Sequence, residues 1–151
     1  MSRTWAASVP RWLAWSCVLA APPVAWAVAA AGFPLPVHEP LRDLSALVAW
    51  SVAEEIVFRG GLQPLLARRL GERGRGWPIT PANAATSLVF AALHAWRHGP
   101  LLALGVFPLS LLYGVVRERT GRVAPAAALH LWFNVLLYLA SWRLAAVTAS
   151  G

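Results

Sequence analysis

Most of the chain is divided into five apolar stretches that are separated by short polar segments. They cover residues 12–32, 44–67, 83–96, 100–116 and 123–141. A helix needs roughly 20 apolar residues to cross the hydrocarbon core of a bilayer, and only the third stretch is clearly short of that length. The pattern therefore predicts an all-α fold, a polytopic transmembrane helical bundle of about five spans.

Two local signals add detail to this pattern. Thr80-Pro81 precedes the third stretch, and Thr as N-cap with Pro at the first helical position is a common helix start. In the fourth stretch, Ser110 and Gly114 are small residues one helical turn apart. We expect a neighbouring helix to approach closely there.

The composition agrees with a membrane protein and excludes a soluble domain of ordinary makeup. Of the 151 residues, 58% are hydrophobic and 13% are charged, and the mean hydropathy is +0.57. All thirteen basic residues are arginine, and the net charge is +7. In so apolar a chain a basic balance marks cytoplasmic loops, so the expected partner is the lipid bilayer and not a nucleic acid.

The arginines are distributed unevenly between the two sides of the predicted bundle. Three lie in outer segments, at positions 42, 97 and 143. Nine lie on the other side: Arg3, Arg11, Arg68, Arg69, Arg73, Arg75, Arg117, Arg119 and Arg122. Because arginine concentrates in cytoplasmic loops, this bias predicts a cytoplasmic N-terminus. A secretory signal peptide is the alternative for the first stretch, which contains the small-residue triplet Ala25-Trp26-Ala27.

The second stretch contains three charged residues near its middle: Glu54, Glu55 and Arg59. Each costs roughly 2.5–3.5 kcal/mol on membrane-insertion scales. Glu55 and Arg59 are four residues apart with the acid first, the favourable order for a helical ion pair. That pair does not account for Glu54, which we expect to face a polar cavity as a general base for water. The alternative is that both glutamates pair with arginines only to hold helices together.

Two later stretches also carry polar side chains that suit a hydrolytic site. His94 ends an apolar helix four residues after Phe90, and His130 and Asn134 share one face of the fifth helix. The alternatives are an interfacial histidine and interhelical hydrogen bonding. Together with Glu54, however, these residues supply a base, an orienting imidazole and two oxyanion donors. This combination predicts hydrolysis of an acyl bond.

Three motifs in order on successive helices carry a family resemblance. They are Glu54-Glu55-x-x-Phe58-Arg59-Gly60, Phe90-x-x-x-His94 and His130-x-x-x-Asn134. They resemble the signatures of the CPBP family of intramembrane proteases, which contains the type 2 CAAX prenyl proteases and bacteriocin-processing or abortive-infection relatives. The resemblance covers about residues 44–140 and implies a compact bacterial member in the inner (plasma) membrane.

The resemblance implies a role for each motif residue. Glu54 with His94 would activate the attacking water, and His130 with Asn134 would stabilise the tetrahedral oxyanion. Three residues would support them: Glu55, Arg59 and Phe90. The implied organisation is an N-terminal membrane segment and outer loop (1–43), a protease domain (44–141) and a short C-terminal tail (142–151). His38 and His98 match no motif and are expected to be solvent-exposed in outer loops.

No cofactor is expected, and zinc is the alternative. Glu54, His94 and His130 would be its ligands, but the sequence has no His-Glu-x-x-His helix and Asn134 is an uncommon type of zinc ligand. Ligand type therefore favours a metal-free, glutamate-activated water.

The expected substrate is a membrane-tethered protein or peptide. Two classes are open: lipid-modified C-terminal tails, and C-terminal sorting signals made of a hydrophobic helix and a basic tail. Longer family members have extra helices around the cavity, so a partner membrane protein is a further expectation. A noncatalytic membrane interaction or bacteriocin-immunity protein is the competing function. A proton-coupled carrier is disfavoured because the sequence has no inverted repeat.

Overall fold

The computed structural model describes residues 11–30, 40–70 and 79–149, and nearly all of them are helical. No strand occurs in those ranges, which confirms the all-α class. The elements are α1 (Arg11–Ala30), α2 (Pro40–Glu55), a π-helical segment (Ile56–Leu62), α3 (Gln63–Leu70), α4 (Pro81–His98), α5 (Pro100–Thr120) and α6 (Val123–Ala149).

The helices follow the apolar stretches and extend beyond several of them. The second stretch is one run of helix from 40 to 70, made of α2, the π segment and α3. Helix α6 continues to Ala149, beyond the expected end at 141, because Leu144, Ala145 and Ala146 are good helix formers and no Gly or Pro interrupts the helix up to Ala149. His98 is the last residue of α4 and not a loop residue, although it is exposed as expected. His38 lies outside the described residues.

Two helices of the described ranges are long and apolar enough to cross a membrane, Pro100–Thr120 and Val123–Val147. A shorter apolar helix is Leu19–Ala30. The count of about five spans stays a prediction.

The chain forms two compact units, and each has its own packing. Of the described residues, the first contains 53–70 and 79–127, and therefore Glu54, Glu55, the π segment, α3, α4 and α5. The second contains 11–30, 40–52 and 128–149, and therefore α1, most of α2 and most of α6. In the second unit α1 buries Ala21, Ala25 and Ala29, which are spaced by four residues along one helix face.

Hydrogen bonds between helices define the direction of packing in the first unit. Arg59 donates to Ser110, and Gln63, four residues later, donates to Gly114, four residues after Ser110. Helix α5 is therefore parallel to the π segment and α3. Because parallel helices end on the same side, Arg68 and Arg69 at the end of α3 lie on the same side as the end of α5. The predicted grouping of these arginines with Arg117 and Arg119 is confirmed.

Helix α4 runs in the opposite direction against α5. Thr80 Oγ1 donates to Glu118 Oε1 at 2.5 Å, and Asn83 Nδ2 donates to the Leu111 carbonyl at 3.0 Å. The start of α4 is also the predicted one, since the Asn83 backbone N–H donates to Thr80 Oγ1 and Pro81 is at the first helical position. Thr80 thus caps its own helix and binds the next one.

Gly114 lies at a close approach between α4 and α5, as the sequence predicted. A Cβ at Gly114 would collide with the side-chain amide of Asn83, which is fully buried. Asn83 is held on both sides, by its bond to Leu111 and by a bond that its Oδ1 accepts from Ser87 Oγ at 3.2 Å. The amide therefore has little freedom to move away.

Gly114→Ala should consequently destabilise the protein by about 1–3 kcal/mol, the usual range for overpacking a well-filled interior. The measurement is the free energy of unfolding in detergent micelles. Gly105→Ala is the matched control on the same helix, because a Cβ there meets nothing within 4 Å. Equal effects of the two substitutions would contradict the close-approach interpretation.

Candidate active site

Three buried polar side chains follow one another along the run of helix from 40 to 70. Glu55, Arg59 and Gln63 are 0%, 0% and 3% exposed and are spaced by four residues. In a regular α-helix four residues turn by about 400°, so such a series drifts around the helix by about 40° at each step. The π segment has more residues per turn and reduces this drift. It keeps the three side chains directed into the unit.

Pro64 explains why the helix widens at this point. Proline has no N–H, and in a regular α-helix its ring would clash with the carbonyl of Gly60, four residues earlier. In the structure the Gln63 N–H donates to the carbonyl of Phe58, which is five residues earlier and not four. The π segment thus removes the clash by shifting the hydrogen-bond register by one residue. Such segments are frequent at functional sites.

Arg59 and Glu55 form the ion pair that their spacing predicts. Arg59 Nε lies 3.4 Å from Glu55 Oε2, and both side chains are fully buried. The guanidinium reaches α5 as well, where Nη2 donates to the carbonyl and to Oγ of Ser110, both at 2.7 Å. Its Cζ lies 5.1 Å from the ring centroid of Phe90 and 5.7 Å from that of Tyr113. Arg59 therefore connects three helices, and its charge is compensated in a region without bulk water.

The predicted histidine of α4 has one ring nitrogen committed to the backbone. His94 Nδ1 lies 2.9 Å from the carbonyl oxygen of Phe90. Because a carbonyl only accepts hydrogen bonds, Nδ1 carries the proton and Nε2 of the neutral ring carries the lone pair. The ring also packs on Phe90, with 4.4 Å between centroids. His94 is thus oriented as a hydrogen-bond acceptor.

The packing of α4 brings Glu54 and His94 to the same level of the first unit. Phe58 and Phe90 meet edge to face with 4.9 Å between ring centroids. Glu54 lies one turn before Phe58, on α2, and His94 lies one turn after Phe90, on α4. Because α4 runs antiparallel to the helix that carries Glu54, both steps lead in the same direction. Both side chains are half-buried. A carboxylate and an imidazole at one level of an apolar unit are groups that can bind and deprotonate water.

The second unit contains the other two predicted residues. His130 is 5% exposed, and Asn134 is half-buried one turn later on α6. Asn134 Nδ2 donates to Ser51 Oγ at 2.9 Å, and Ser51 in turn donates to the carbonyl of Leu47 at 2.8 Å. The amide nitrogen has two N–H donors, so this bond orients Asn134 and uses one of them. Glu54, Glu55, Arg59, Phe90 and His94 therefore belong to the first unit and His130 and Asn134 to the second.

Four polar residues near Arg59 were not singled out as site residues in the sequence. Ser110, Tyr113 and Arg117 of α5 contact Arg59, and Gln63, four residues after Arg59, donates to the Gly114 carbonyl. Those of α5 follow one another at three- and four-residue spacing, the period of one helix face. Polar residues at that period in an apolar helix were the signal that could have identified them. Within the described ranges, no group of three or more His, Cys, Asp or Glu side chains is arranged to hold a metal ion.

Comparison with known protein families adds independent support. A family model described as type II CAAX prenyl endopeptidase, Rce1-like, matches residues 36–136. This range is about two thirds of the chain and includes all three motifs. No curated protein and no solved structure matches the chain. On the extent of the match and the order of the motifs, the chain belongs to the Rce1-like family of type II CAAX prenyl endopeptidases, which are membrane-embedded proteases acting on membrane-tethered substrates.

Proposed function

We propose that this chain is an intramembrane endopeptidase in which Glu54 and His94 activate the attacking water. The observation that carries the proposal is the hydrogen bond from His94 Nδ1 to the Phe90 carbonyl. It leaves Nε2 as an acceptor on a half-buried ring at the level of Glu54. A water held there would have one acceptor from each side chain, which is the arrangement needed for general-base catalysis.

The proposed reaction is hydrolysis of one peptide bond. Glu54 takes a proton from water while the water oxygen forms a bond to the scissile carbonyl carbon, and the carbonyl electron pair moves to oxygen. N–H groups of His130 and Asn134 stabilise this oxyanion. When the carbonyl re-forms, the C–N bond breaks, and the proton held by Glu54 passes to the leaving amine. The Glu55–Arg59 pair supports Glu54 through the last turn of α2.

The proposed setting is the bacterial inner membrane with a cytoplasmic N-terminus. The arginines at the ends of α3 and α5 support this orientation, because they lie on one side of the first unit. Residues 44–141 would form the protease domain. The substrate would be a lipid-modified C-terminal tail or a C-terminal sorting signal, and the reaction would need no metal, since asparagine is an uncommon zinc ligand.

The test is cleavage of membrane-tethered fluorogenic peptides by the purified protein in detergent. The panel contains prenylated and unprenylated C-terminal tails and peptides with a hydrophobic helix followed by a basic tail. We expect cleavage of at least one class and the same rate with and without a chelator. Loss of activity with chelator and recovery with Zn²⁺ would contradict the metal-free mechanism and favour a zinc-dependent one. Absence of cleavage across the panel would contradict the endopeptidase.

Removing an oxyanion donor should lower kcat strongly. We expect Asn134→Ala and His130→Ala each to reduce kcat by about 100- to 1,000-fold, the usual effect of removing one such donor. Ser141→Ala is the control on the same helix. It also removes a buried polar group, whose hydroxyl donates to the Leu137 carbonyl of that helix. A reduction no larger than that of the control would remove His130 and Asn134 from the proposed chemistry.

A noncatalytic membrane interaction protein is the second candidate. The observation that favours it is the bond from Asn134 to Ser51, in which the amide joins α6 to α2 within the second unit. In such a protein the polar residues hold helices together. Retention of biological activity in the Glu54→Gln variant would favour this candidate.

A further inference from the structure

The helix that carries the two glutamates has a backbone acceptor that its own hydrogen bonds do not satisfy. In a regular α-helix the Arg59 carbonyl would accept from the N–H of Gln63, but that N–H donates to Phe58. In a continued π-helix it would accept from the next residue, which is Pro64 and has no N–H. An unsatisfied carbonyl in an apolar interior is costly. This segment therefore depends on a donor from elsewhere.

Arg117 of α5 supplies that donor. Its Nε donates to the Arg59 carbonyl oxygen at 3.1 Å. Ser110, two turns earlier on α5, accepts from the guanidinium of the same Arg59 at 2.7 Å. Helix α5 therefore holds Arg59 at both its side chain and its backbone.

We propose that Arg117 is a positioning residue for the glutamates, and this inference rests on the endopeptidase function proposed above. By satisfying the Arg59 carbonyl it stabilises the π-helical register from Ile56 to Leu62. The register directs Arg59 towards Glu55 and Ser110. The buried pair in turn fixes the last turn of α2, which carries Glu54. Arg117 acts without contacting the substrate.

The register matters because each residue of an α-helix accounts for about 100° of rotation. If the π segment relaxed by one residue, α3 and the last turn of α2 would rotate relative to each other by about that angle. Gln63 and Arg59 could then keep their contacts with α5 only if Glu54 turned away from His94. A residue that prevents this slip affects the alignment of the reacting groups more than substrate binding.

The test compares two uncharged substitutions that differ in the group at the position of the arginine Nε. In glutamine the amide Nε2 follows Cδ, where arginine has Nε, so Arg117→Gln keeps an N–H donor at that position and loses the charge. Methionine has a methyl group there, so Arg117→Met loses both. We expect Arg117→Met to lower kcat by about 10- to 100-fold with KM within about twofold, as for misaligned reacting groups. Arg117→Gln should stay within about threefold of the wild type. Arg119→Met, two residues later, is the control.

Hydrogen exchange of residues 56–65, followed by mass spectrometry, provides a measurement that does not depend on peptidase activity. Exchange should be faster in Arg117→Met and unchanged in Arg117→Gln and Arg119→Met. Equal loss of kcat in Arg117→Gln and Arg117→Met would show that the charge matters and would overturn the proposal, as would unchanged exchange in Arg117→Met. If the wild type cleaves no peptide, the endopeptidase fails while exchange still decides whether Arg117 holds the segment.

Discussion

Glu54→Gln is expected to lower kcat/KM for peptide cleavage by at least about 100-fold and by up to about 10,000-fold. Glutamine has nearly the shape of glutamate, but its amide oxygen is a far weaker proton acceptor, so the variant loses the general base that deprotonates water. Replacing His94 with Ala should have a comparable effect, because it removes the second acceptor for the water. The measurement is single-turnover cleavage of a tethered fluorogenic peptide, which separates chemistry from product release.

Two controls distinguish this loss from a general loss of structure. Asp43→Asn removes a carboxylate in the first turn of the same helix. His98→Ala removes the exposed imidazole one turn beyond His94, whose ring centroid lies 6.1 Å away. We expect both variants to keep wild-type rates, and all four should show wild-type helicity and gel-filtration behaviour. Full activity in a folded Glu54→Gln variant would refute the assignment of Glu54 as the base.

The second large effect concerns stability. Arg59→Met should reduce the free energy of unfolding by about 3–5 kcal/mol, because it removes the cation that contacts the carboxylate of Glu55 at a fully buried position. The double variant Glu55→Gln/Arg59→Met should recover a large part of that loss, since both charges are then absent. The measurement is unfolding in mixed detergent micelles, analysed as a double-mutant cycle with Glu55→Gln as the second single variant.

Arg59→Lys tests the geometry of the same cluster. Lysine keeps the charge but has no planar pair of donors, so it cannot reproduce both the Glu55 contact and the two bonds to Ser110. We expect an intermediate loss of stability. Arg68→Met, at an exposed position in the last turn of α3, should change stability by less than about 0.5 kcal/mol. Strict additivity of the Glu55 and Arg59 substitutions would show that the two side chains are energetically independent.

Several features of this protein were predictable because they depend on residues close together in the chain. The i, i+4 spacing of Glu55 and Arg59 predicted their ion pair, and Thr80 followed by Pro81 predicted the start of α4. The family motifs pointed to Glu54 and His94, which the packing of α4 brings to the same level of the first unit. Each prediction uses the period of a helix, which is set by backbone geometry and not by its neighbours.

The π segment is a different case. Pro64 was visible in the sequence, and a proline inside a helix predicts a local disturbance. Its form was not visible, because kinking and widening both satisfy the same local constraint. The N–H that Arg117 donates to the Arg59 carbonyl favours the widened form, and these two residues are 58 positions apart in the chain. Contacts between such distant residues depend on the register of two packed helices.

The helical class, the apolar stretches, the sorting of arginines and the motif residues all follow from the order of amino acids, because helix periodicity and transfer into lipid are local properties. The burial of Arg59 between Phe90 and Tyr113, its bonds to Ser110 and the support of its backbone by Arg117 arise only when α4 and α5 pack. The reason is that a buried charge and an unsatisfied carbonyl need partners, and the packing of whole helices determines which side chains can reach them.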